Sequence, residues 1–586
     1  MDYYSKDFQS SLSKSLETSY RAMQPFRRLN AALVDDYVGS GYGSDNRPRR
    51  ETVLNLLHQA VEAYVIELAS NRPRVLVTTE HAEMVPFAKK YEVACNNLIK
   101  EIGLEHTLRR WVLDAFFSVG IIKVHQADAG QVQIEADLWA DPGTPFASNL
   151  SLDDFVFDST ARKFESVRFA GDMYRLPYVD FEESGMFDPD EVKKHTSANN
   201  SDNDEERLEY LSGGNEHDQD PFEPMIDLVD VWFPRSDEIA TYVIKSRHNC
   251  TISGNPVGVM LWGGPEFGPY HLLGFTDVPE NVLPVSPAAQ LQFLHRQINN
   301  LMRKQSKRAR NHKIHPIFNP AGAKDAEKAQ KYGDGHWIAV ESVQDIGRLD
   351  TGGVDSGDQM FTNELMEHFD RAGGNLSSIL GLGPSAGTVG QEKMIQGASS
   401  KKLSGMKQQF NGGAVRVMRD LGYLLWKDEF KIIKGNLPIP EAEGYALDMT
   451  WKPDDRLGDF YEYNFDIDLF STDYQTPAGR IEAINTIMTS IYAPFAEMIM
   501  QQGGIIDFQK LNEMYADMLG LPRLREVMRW TNPQPSDRPG AQDSLRMPAS
   551  TTRTYQRQNI PTGGTQESQA LQRREQWSNM QPSGMG

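Results

Sequence analysis

The chain has little of what disulfide-bonded proteins, nucleotide-driven enzymes and membrane proteins depend on. Its 586 residues include two cysteines, Cys95 and Cys250, so one disulfide at most is available. We expect both to be small buried side chains in a reducing compartment. No Gly-Lys pair followed by Ser or Thr occurs, which excludes a P-loop for nucleotide phosphates.

Long apolar runs are also missing. The most apolar long window, residues 481–500, is interrupted by Glu482, Asn485, Pro494 and Glu497. Such a window is predicted not to span a bilayer. No apolar stretch typical of a signal peptide occurs near residue 1, and an intracellular origin without a membrane partner is therefore expected.

Positive charge is scarce, with a formal net charge of −21. This argues against a general nucleic-acid binder, whose affinity comes from cations that neutralise phosphates. An acidic surface can still lie beside moving DNA, because it repels the DNA and keeps it from sticking. Simple solubility explains the same charge equally well.

The stretch "GLGPSAG", residues 381–387, formally matches the G-x-S-x-G elbow of serine hydrolases. The last of the thirteen histidines is His368, so the usual order Ser, Asp, His cannot be completed after Ser385. The preceding residues repeat at helical spacing, whereas the elbow follows a strand. Ala386 also breaks a G-x-G-x-x-G phosphate cradle. We expect no catalytic residue, metal or cofactor; a hydrolase with a permuted triad stays open as an alternative.

The N-terminal half reads as α+β. Helical spacing predicts a helix over residues 51–70 and two more over 84–102 and 104–119, and from Gly120 short strand-like runs follow. Residues 196–224 hold nine acids and one arginine and predict a solvated loop. An EF-hand is set aside there, because its turn glycine would fall at an arginine.

Two long helices are predicted around a small insert. Residues 290–312 place apolar side chains on one stripe, and their last turns are basic. The insert, residues 313–358, contains the strand-like runs "KIHPIF" and "HWIAV" around a short helix. A second helix over about 359–380 returns from it. Together these segments predict a helical hairpin with a small head.

A very long helix follows over residues 391–432. Five glycines interrupt its pattern, and bends or tight backbone contacts are expected at them: Gly397, Gly405, Gly412, Gly413 and Gly422. "ALDMTW" and "YNFDIDLF" then predict a strand pair, and helices are expected at 477–502 and 508–519. After Trp530 the composition shifts to Pro, Gly, Gln, Ser and Thr, which is typical of disorder.

This order of elements, from about residue 50 to 530, resembles the portal (head-to-tail connector) proteins of tailed bacteriophages. Four stretches carry the resemblance: "LSLDDFVFDSTARKFESVRFAGDMYRLPYVDFEESGMFD", "LPVSPAAQLQFLHRQINNLMRKQSKRARNHK", "SSILGLGPSAGTVGQEKMIQGASSKKLSGMKQQF" and "DIDLFSTDYQTPAGRIEAI". The weight rests on order and spacing, because none of the stretches is a specific motif. An α+β portal-type subunit is the implied fold.

The resemblance implies a division of the chain into the parts of a portal subunit. They are the N-terminal region and α/β wing (1–285), a first stem helix (286–312), a clip (313–358), a second stem helix (359–380), a tunnel loop (381–390), a long bent spine helix (391–432), wing strands (433–476), a helical crown (477–530) and a disordered tail (531–586).

The function that the resemblance implies is structural. Copies of the chain, usually twelve, would form a ring at the capsid vertex of the virion after synthesis in the bacterial cytoplasm. Double-stranded DNA would pass through the ring, which would contact the major capsid protein, the terminase large subunit and the head-tail adaptor or tail proteins. Another head or tail structural protein without a closed ring is the alternative.

Candidates for DNA contact are the basic end of the first stem helix and the loop that follows the second: Arg303, Lys304, Lys307, Arg308, Arg310, Gly381, Gly383, Ser385, Gly387, Thr388 and Gly390. Arg303, Lys307 and Arg310 share one helical face. The competing interpretation is that these cations offset the helix dipole or form ion pairs within or between subunits. The carboxylates proposed for those pairs are Glu364, Glu367 and Asp370.

Overall fold

Helices and strands both form large parts of the chain, as expected for the α+β class. The computed structural model describes residues 2–39, 54–69, 73–127, 132–135, 138–140, 143–183, 187–192, 225–331, 337, 339, 346–351, 353, 355–379, 389–438 and 446–467. The chain divides into two compact units, Met1–Gln475 and Thr476–Gly586, and every described residue belongs to the first. No helix among the described residues is long and apolar enough to cross a membrane.

Eleven α-helices are found in the described part of the chain. They are α1 (Lys6–Val38), α2 (Leu56–Ala69), α3 (Val85–Glu101), α4 (Leu104–Phe117), α5 (Tyr178–Glu183), α6 (Pro189–Val192), α7 (Pro287–Arg310), α8 (Ala323–Lys331), α9 (Ser356–Ala372), α10 (Leu376–Ile379) and α11 (Val389–Lys427).

The strands of the same part are mostly short. They are β1 (Val75–Thr79), β2 (Gly120–Ala127), β3 (Val132–Glu135), β4 (Leu138–Ala140), β5 (Thr144–Leu150), β6 (Phe155–Phe157), β7 (Ala170–Pro177), β8 (Met225–Phe233), β9 (Glu238–Ser246), β10 (Thr251–Leu261), β11 (Tyr270–Leu273), β12 (Lys313–Phe318), β13 (Ile346–Thr351), β14 (Ile433–Pro438), β15 (Ala446–Trp451) and β16 (Tyr463–Ile467).

A five-stranded antiparallel sheet in the order β10-β9-β8-β7-β6 forms the centre of one half of this unit. Helix α1 packs on it through Leu12, Leu16 and Tyr20, which are buried among strand side chains such as Val229. Further along α1, the buried guanidinium of Arg27 donates to the carbonyls of three residues, Tyr20, Leu152 and Phe155. The sequence interpretation missed α1, which begins before the first predicted helix.

A three-stranded antiparallel sheet, β11-β2-β5, lies between this half and a largely helical half. The helical half has the largest core, to which α2, α3, α4, α7, α9 and α11 contribute apolar side chains. Aromatic rings fill its end nearest β15: Tyr91 stacks on Trp451 at 4.9 Å between ring centroids, and Trp426 packs edge-on to Tyr91 at 5.4 Å. Trp451 is therefore a packing residue.

Two strand predictions are wrong in their partners. "ALDMTW" (β15) pairs with β14, whereas "YNFDIDLF" contributes β16, which pairs with the distant β1. In the insert, β12 pairs with β13, which begins six residues after the end of the predicted strand "HWIAV". The described residues of that predicted strand, Trp337 and Ala339, have no regular structure. Strand pairing depends on which edges meet in space, and local β propensity does not determine this.

The long helix α11 is continuous over 39 residues, and two of its glycines make the expected tight contacts. A Cβ on Gly413 would lie 2.6 Å from the Trp111 ring, and one on Gly422 would lie 2.7 Å from the Phe465 ring. At Gly405 and Gly412 no described atom lies within 4 Å of an added Cβ, so no tight contact is seen there within the described part of the chain.

Candidate functional site

The predicted helical hairpin is present, and local capping groups determine where its first helix, α7, begins. The hydroxyl of Ser286 caps α7 by accepting from the Ala289 amide at 3.1 Å, and it donates to the Phe116 carbonyl at 2.8 Å. Pro287 occupies the first helical position, where its missing amide proton costs nothing. With 24 residues, α7 is about 36 Å long.

Helix α9 packs antiparallel on α7. Ile298 of α7 is buried in the same core as Leu365 and Phe369 of α9. Nearer the head, the Gln305 amide donates to the Thr362 hydroxyl at 2.9 Å. The head itself consists of β12, α8 and β13, so its two strands connect the far ends of the two helices.

The five basic residues predicted for DNA contact at the end of α7 separate into two groups. Lys304 Nζ lies 3.1 Å from Asp358 Oδ2, and Arg308 pairs with the same carboxylate and more distantly, at 3.8 Å, with Asp355. These two cations therefore connect the helices of the hairpin. Because Asp355 is the N-cap of α9 and Asp358 lies in its first turn, both also face the positive end of its dipole.

The other group is the cationic triad, Arg303, Lys307 and Arg310. Arg303 is half-buried and bonds to the carbonyl of Asn299 at 3.2 Å and the side chain of Asn300 at 2.6 Å. Lys307 and Arg310 are exposed, and within the described part of the chain neither has a carboxylate within 4 Å. The triad is thus the part of the predicted basic run that the hairpin leaves open to a partner.

The three proposed stem carboxylates have contacts within α9 and α10. Glu364 lies 3.7 Å from His368, and Glu367 lies 3.3 Å from Arg371, both at exposed i, i+4 positions. Asp370 accepts from the backbone amide of Ser377 at 2.8 Å and from its hydroxyl at 3.2 Å. Asp370 therefore caps α10, whereas the carboxylates that bridge the hairpin are Asp355 and Asp358.

The root of the hairpin is held by α1, which the sequence interpretation missed. Asp36 accepts from Gln292 and from Arg296, each at 2.7 Å. One turn later, the Asn299 side chain exchanges two hydrogen bonds with the backbone of Leu54, at 3.0 and 2.9 Å. Burial lowers the pKa of neighbouring His295, although the charge of Asp36 opposes that shift. The long-range partners of these polar residues give no local sequence signal.

The second hairpin helix is shorter than the predicted 359–380. It ends at Ala372, and the chain turns through Gly374, with φ +82°, and Asn375, with φ +59°, before α10. The Ala372 carbonyl accepts from Lys402 of α11 at 3.1 Å, and the Gly373 carbonyl accepts from Tyr64. Burial lowers the pKa of Lys402, and burial together with Asp370 raises the pKa of Tyr64 to about 12.

The predicted tunnel loop lies mostly outside the described residues, and this holds for Gly381, Gly383, Ser385, Gly387 and Thr388. Gly390 is described and falls in α11, which begins at Val389, two residues before the predicted start of the spine helix at 391. The acidic segment, the predicted crown helices and the tail also lie outside the described part.

In the described ranges, no three His, Cys, Asp or Glu side chains are grouped closely enough to hold a metal ion. Cys95 and Cys250 are both buried and unbridged, as predicted, and burial raises the pKa of both thiols. Raised pKa values keep both side chains as inert thiols at neutral pH.

A buried charge cluster between the two larger sheets was not foreseen. Lys123 of β2 contacts Asp172 of β7 at 2.7 Å and Asp230 of β8 at 3.1 Å. Tyr270 donates to Asp172 at 2.6 Å and Tyr174 to Asp230 at 3.1 Å. Burial opposes the charge of Lys123, but the two carboxylates outweigh it and raise the pKa of the amine. The cluster joins the two sheets.

Comparison with known proteins gave no assignment. No model of a known protein family matches the chain, and no curated protein matches it.

Proposed function

We propose that the chain is the subunit of a portal, the ring through which DNA enters and leaves the capsid of a tailed bacteriophage. The observation that carries this proposal is the order of elements. An antiparallel helical hairpin bearing a small two-stranded head is rooted in an α+β body, and the 39-residue helix α11 follows it. This order supports the proposal, because the resemblance to portals implies a helical hairpin with a small head that is followed by a long helix.

In the proposed ring, the hairpins of neighbouring copies pack side by side around a channel. Lys304 and Arg308 stabilise each hairpin through Asp358. The triad of Arg303, Lys307 and Arg310 is the set available to contact DNA phosphates in passing, because its outer cations have no carboxylate partner among the described residues. A few weak contacts per copy suit DNA that has to move.

The proposal gives the protein no reaction to catalyse. A channel protein of this kind needs no phosphate cradle, because an ATP-driven terminase supplies the energy of packaging, and the sequence has no P-loop. The proposed partners are further copies of the chain, the major capsid protein, the terminase large subunit, adaptor or tail proteins, and double-stranded DNA in the virion.

Negative-stain electron microscopy of the purified chain tests the proposal. Closed rings with a central hole are the expected result. Particles that remain single globules, or that form only open arcs, at every protein and salt concentration would contradict it. A fluorophosphonate probe provides an independent check: covalent labelling that is lost in Ser385→Ala would instead support a hydrolase.

A further inference from the structure

One face of α11 is exposed along almost the whole second part of the helix and has no acidic residue. Its members recur every three or four positions, which places them on one stripe about 39 Å long. We call this the α11 stripe: Lys401, Gly405, Gln408, Gly412, Arg416, Arg419, Tyr423 and Lys427. All are exposed except Tyr423, which is half-buried.

The cations of the α11 stripe have no ion-pair partner among the described residues. Arg416 contacts only the Gly412 carbonyl of its own helix, at 3.4 Å. Arg419 lies 6.0 Å from the ring centre of Tyr461, and Lys427 lies 5.6 Å from that of Tyr423. In a chain of net charge −21, this row therefore combines cations, without a carboxylate partner in the described ranges, with aromatic rings.

The glycines of the stripe are not explained by contacts within the described chain. Gly405 and Gly412 have no described atom within 4 Å of an added Cβ, and neither has a positive φ angle. Alanine is the better helix former at such positions. A partner whose surface comes close to the helix backbone is a physical reason to keep glycine there.

We propose that the α11 stripe binds an acidic surface of a second copy of this chain. Charge complementarity favours this partner, because the chain has 81 acidic and 60 basic residues and so has excess carboxylates to offer. Composition favours protein over DNA. Beside Arg419, the exposed side chain of Tyr461 extends the surface, at 63% exposure, and Arg with Tyr is typical of protein interfaces.

The charge of the stripe also determines the kind of contact. A face with cations and no carboxylate cannot bind the same face of another copy, because like charges would meet. The stripe of one copy must therefore contact a different face of the next. Such a heterologous contact repeats head to tail and produces either a closed ring or an open filament. The inference rests on the proposed ring and assigns part of its subunit interface.

Charge reversal tests the assignment in the full-length chain. The variant R416E/R419E/K427E is compared with K6E/K14E/R28E, a control of equal charge change at exposed positions of α1. Mass photometry across a dilution series measures assembly. We expect the stripe variant to need at least a tenfold higher concentration for half-assembly than the control, with circular dichroism spectra that match those of the unaltered chain.

The outcomes separate this inference from the proposed function. If the unaltered chain associates and the stripe variant associates equally well, the inference is wrong and the ring proposal stands. If the unaltered chain stays monomeric, both are wrong. If reversal leaves association intact but lowers binding of a 30-base-pair duplex tenfold, the stripe binds DNA and the inference is overturned.

A second variant tests the close approach without changing charge. Gly412→Leu adds a side chain where the described chain leaves open space, so its thermal unfolding temperature should stay the same or rise. Its association should weaken at least tenfold. Unchanged association would contradict the proposal.

Cross-linking identifies the opposite surface. In an equal mixture of ¹⁴N- and ¹⁵N-labelled chains, carbodiimide should join Lys427 of one isotope to Asp or Glu of the other. Mass spectrometry that finds Lys427 cross-linked only within a chain would overturn the assignment.

Discussion

At the scale of single residues, the structure depends on charges that are buried with their partners. Lys123 connects two sheets through Asp172 and Asp230, and it lies almost entirely out of solvent, with 12% of its side chain exposed. Removing one partner from such a cluster leaves the others charged and without compensation, which costs more than the intact cluster contributes.

We predict that Lys123→Met destabilises the fold by about 3–5 kcal/mol, because it leaves two carboxylates without their cation. Denaturant unfolding followed by tryptophan fluorescence measures the change. Adding Asp172→Asn and Asp230→Asn to the same variant should recover much of the loss. Lys6→Met, at an exposed position, is the control, and a loss no larger than that of the control would contradict the prediction.

Asp158 gives a pH-dependent prediction. Burial would raise the pKa of its carboxyl, but hydrogen bonds from Arg168, at 2.5 and 2.9 Å, and from Thr160, at 2.6 Å, hold the pKa well below its usual range. Because the pKa of Asp158 is depressed in the folded state, its carboxylate stabilises the fold at pH values above the unfolded-state pKa of about 3.9. That stability is lost as the pH falls through the folded-state pKa.

Asp158→Asn should therefore lower stability by about 1–2 kcal/mol at neutral pH. We expect a value at the lower end of this range, because the Arg168 side chain is 67% exposed and solvent weakens the ion pair. The difference from the unaltered chain should be constant between about pH 7 and 5 and should shrink below about pH 4. Thermal unfolding at a series of pH values measures it. A difference that grows on acidification would exclude this account.

At the scale of elements, helix ends are determined by a few capping groups. Ser286 and Pro287 start α7 in a way that is readable from the sequence. The end of α9 was predicted eight residues too late, because apolar spacing continues through α10. The turn at Gly374 and the Asp370 cap of α10 interrupt the helix without interrupting that spacing.

Two glycines should respond in opposite directions to substitution. Gly374→Ala forces a positive φ angle on alanine and brings its Cβ to 2.8 Å from the Tyr64 hydroxyl, so we expect a loss of about 1–3 kcal/mol. Gly405→Ala, in an open helical position, should gain up to about 1 kcal/mol. Chemical unfolding of the two variants, measured side by side, gives both changes in stability. Changes of the same sign would show that the turn is not strained.

At the scale of the whole molecule, the distribution of charge matters more than its sum. The chain is strongly acidic, yet it has two rows of largely exposed cations without carboxylate partners among the described residues, the triad on α7 and the α11 stripe. Charge rows on separate helices can serve separate partners, and in our proposals the triad contacts DNA while the stripe binds a second copy.

Reversing the triad in R303E/K307E/R310E should leave the single-chain fold intact and impair DNA packaging by assembled particles at least tenfold. The matched variant K304E/R308E breaks the pairs with Asp358 instead and should lower hairpin stability, seen as faster amide exchange in α7 and α9. Packaging by phage that carry the triad variant measures the first effect. Normal packaging from normal rings would remove any role for that face.

Much of the architecture was predictable where the signal is local. Helical spacing predicted α2, α3, α4, α7 and α11, and alternation or β-rich runs predicted most strands of the sheets. The sequence did not predict the strand partners of β15 and β16 or the anchoring of α7 by Asp36, because these contacts join residues far apart in the sequence. The separation of the basic residues of α7 into paired and open cations was not predictable either, because it depends on where Asp358 lies.

By itself, the sequence determined the mixed helical and β composition, the hairpin with its inserted head, the exclusion of a P-loop and the limit of one disulfide. Those conclusions depend on residue type and on spacing along the chain, which are local. Only the tertiary structure decided which cations are paired, which glycines are packed and which sheet edges meet. These depend on distances between elements, and packing of the folded chain alone sets them.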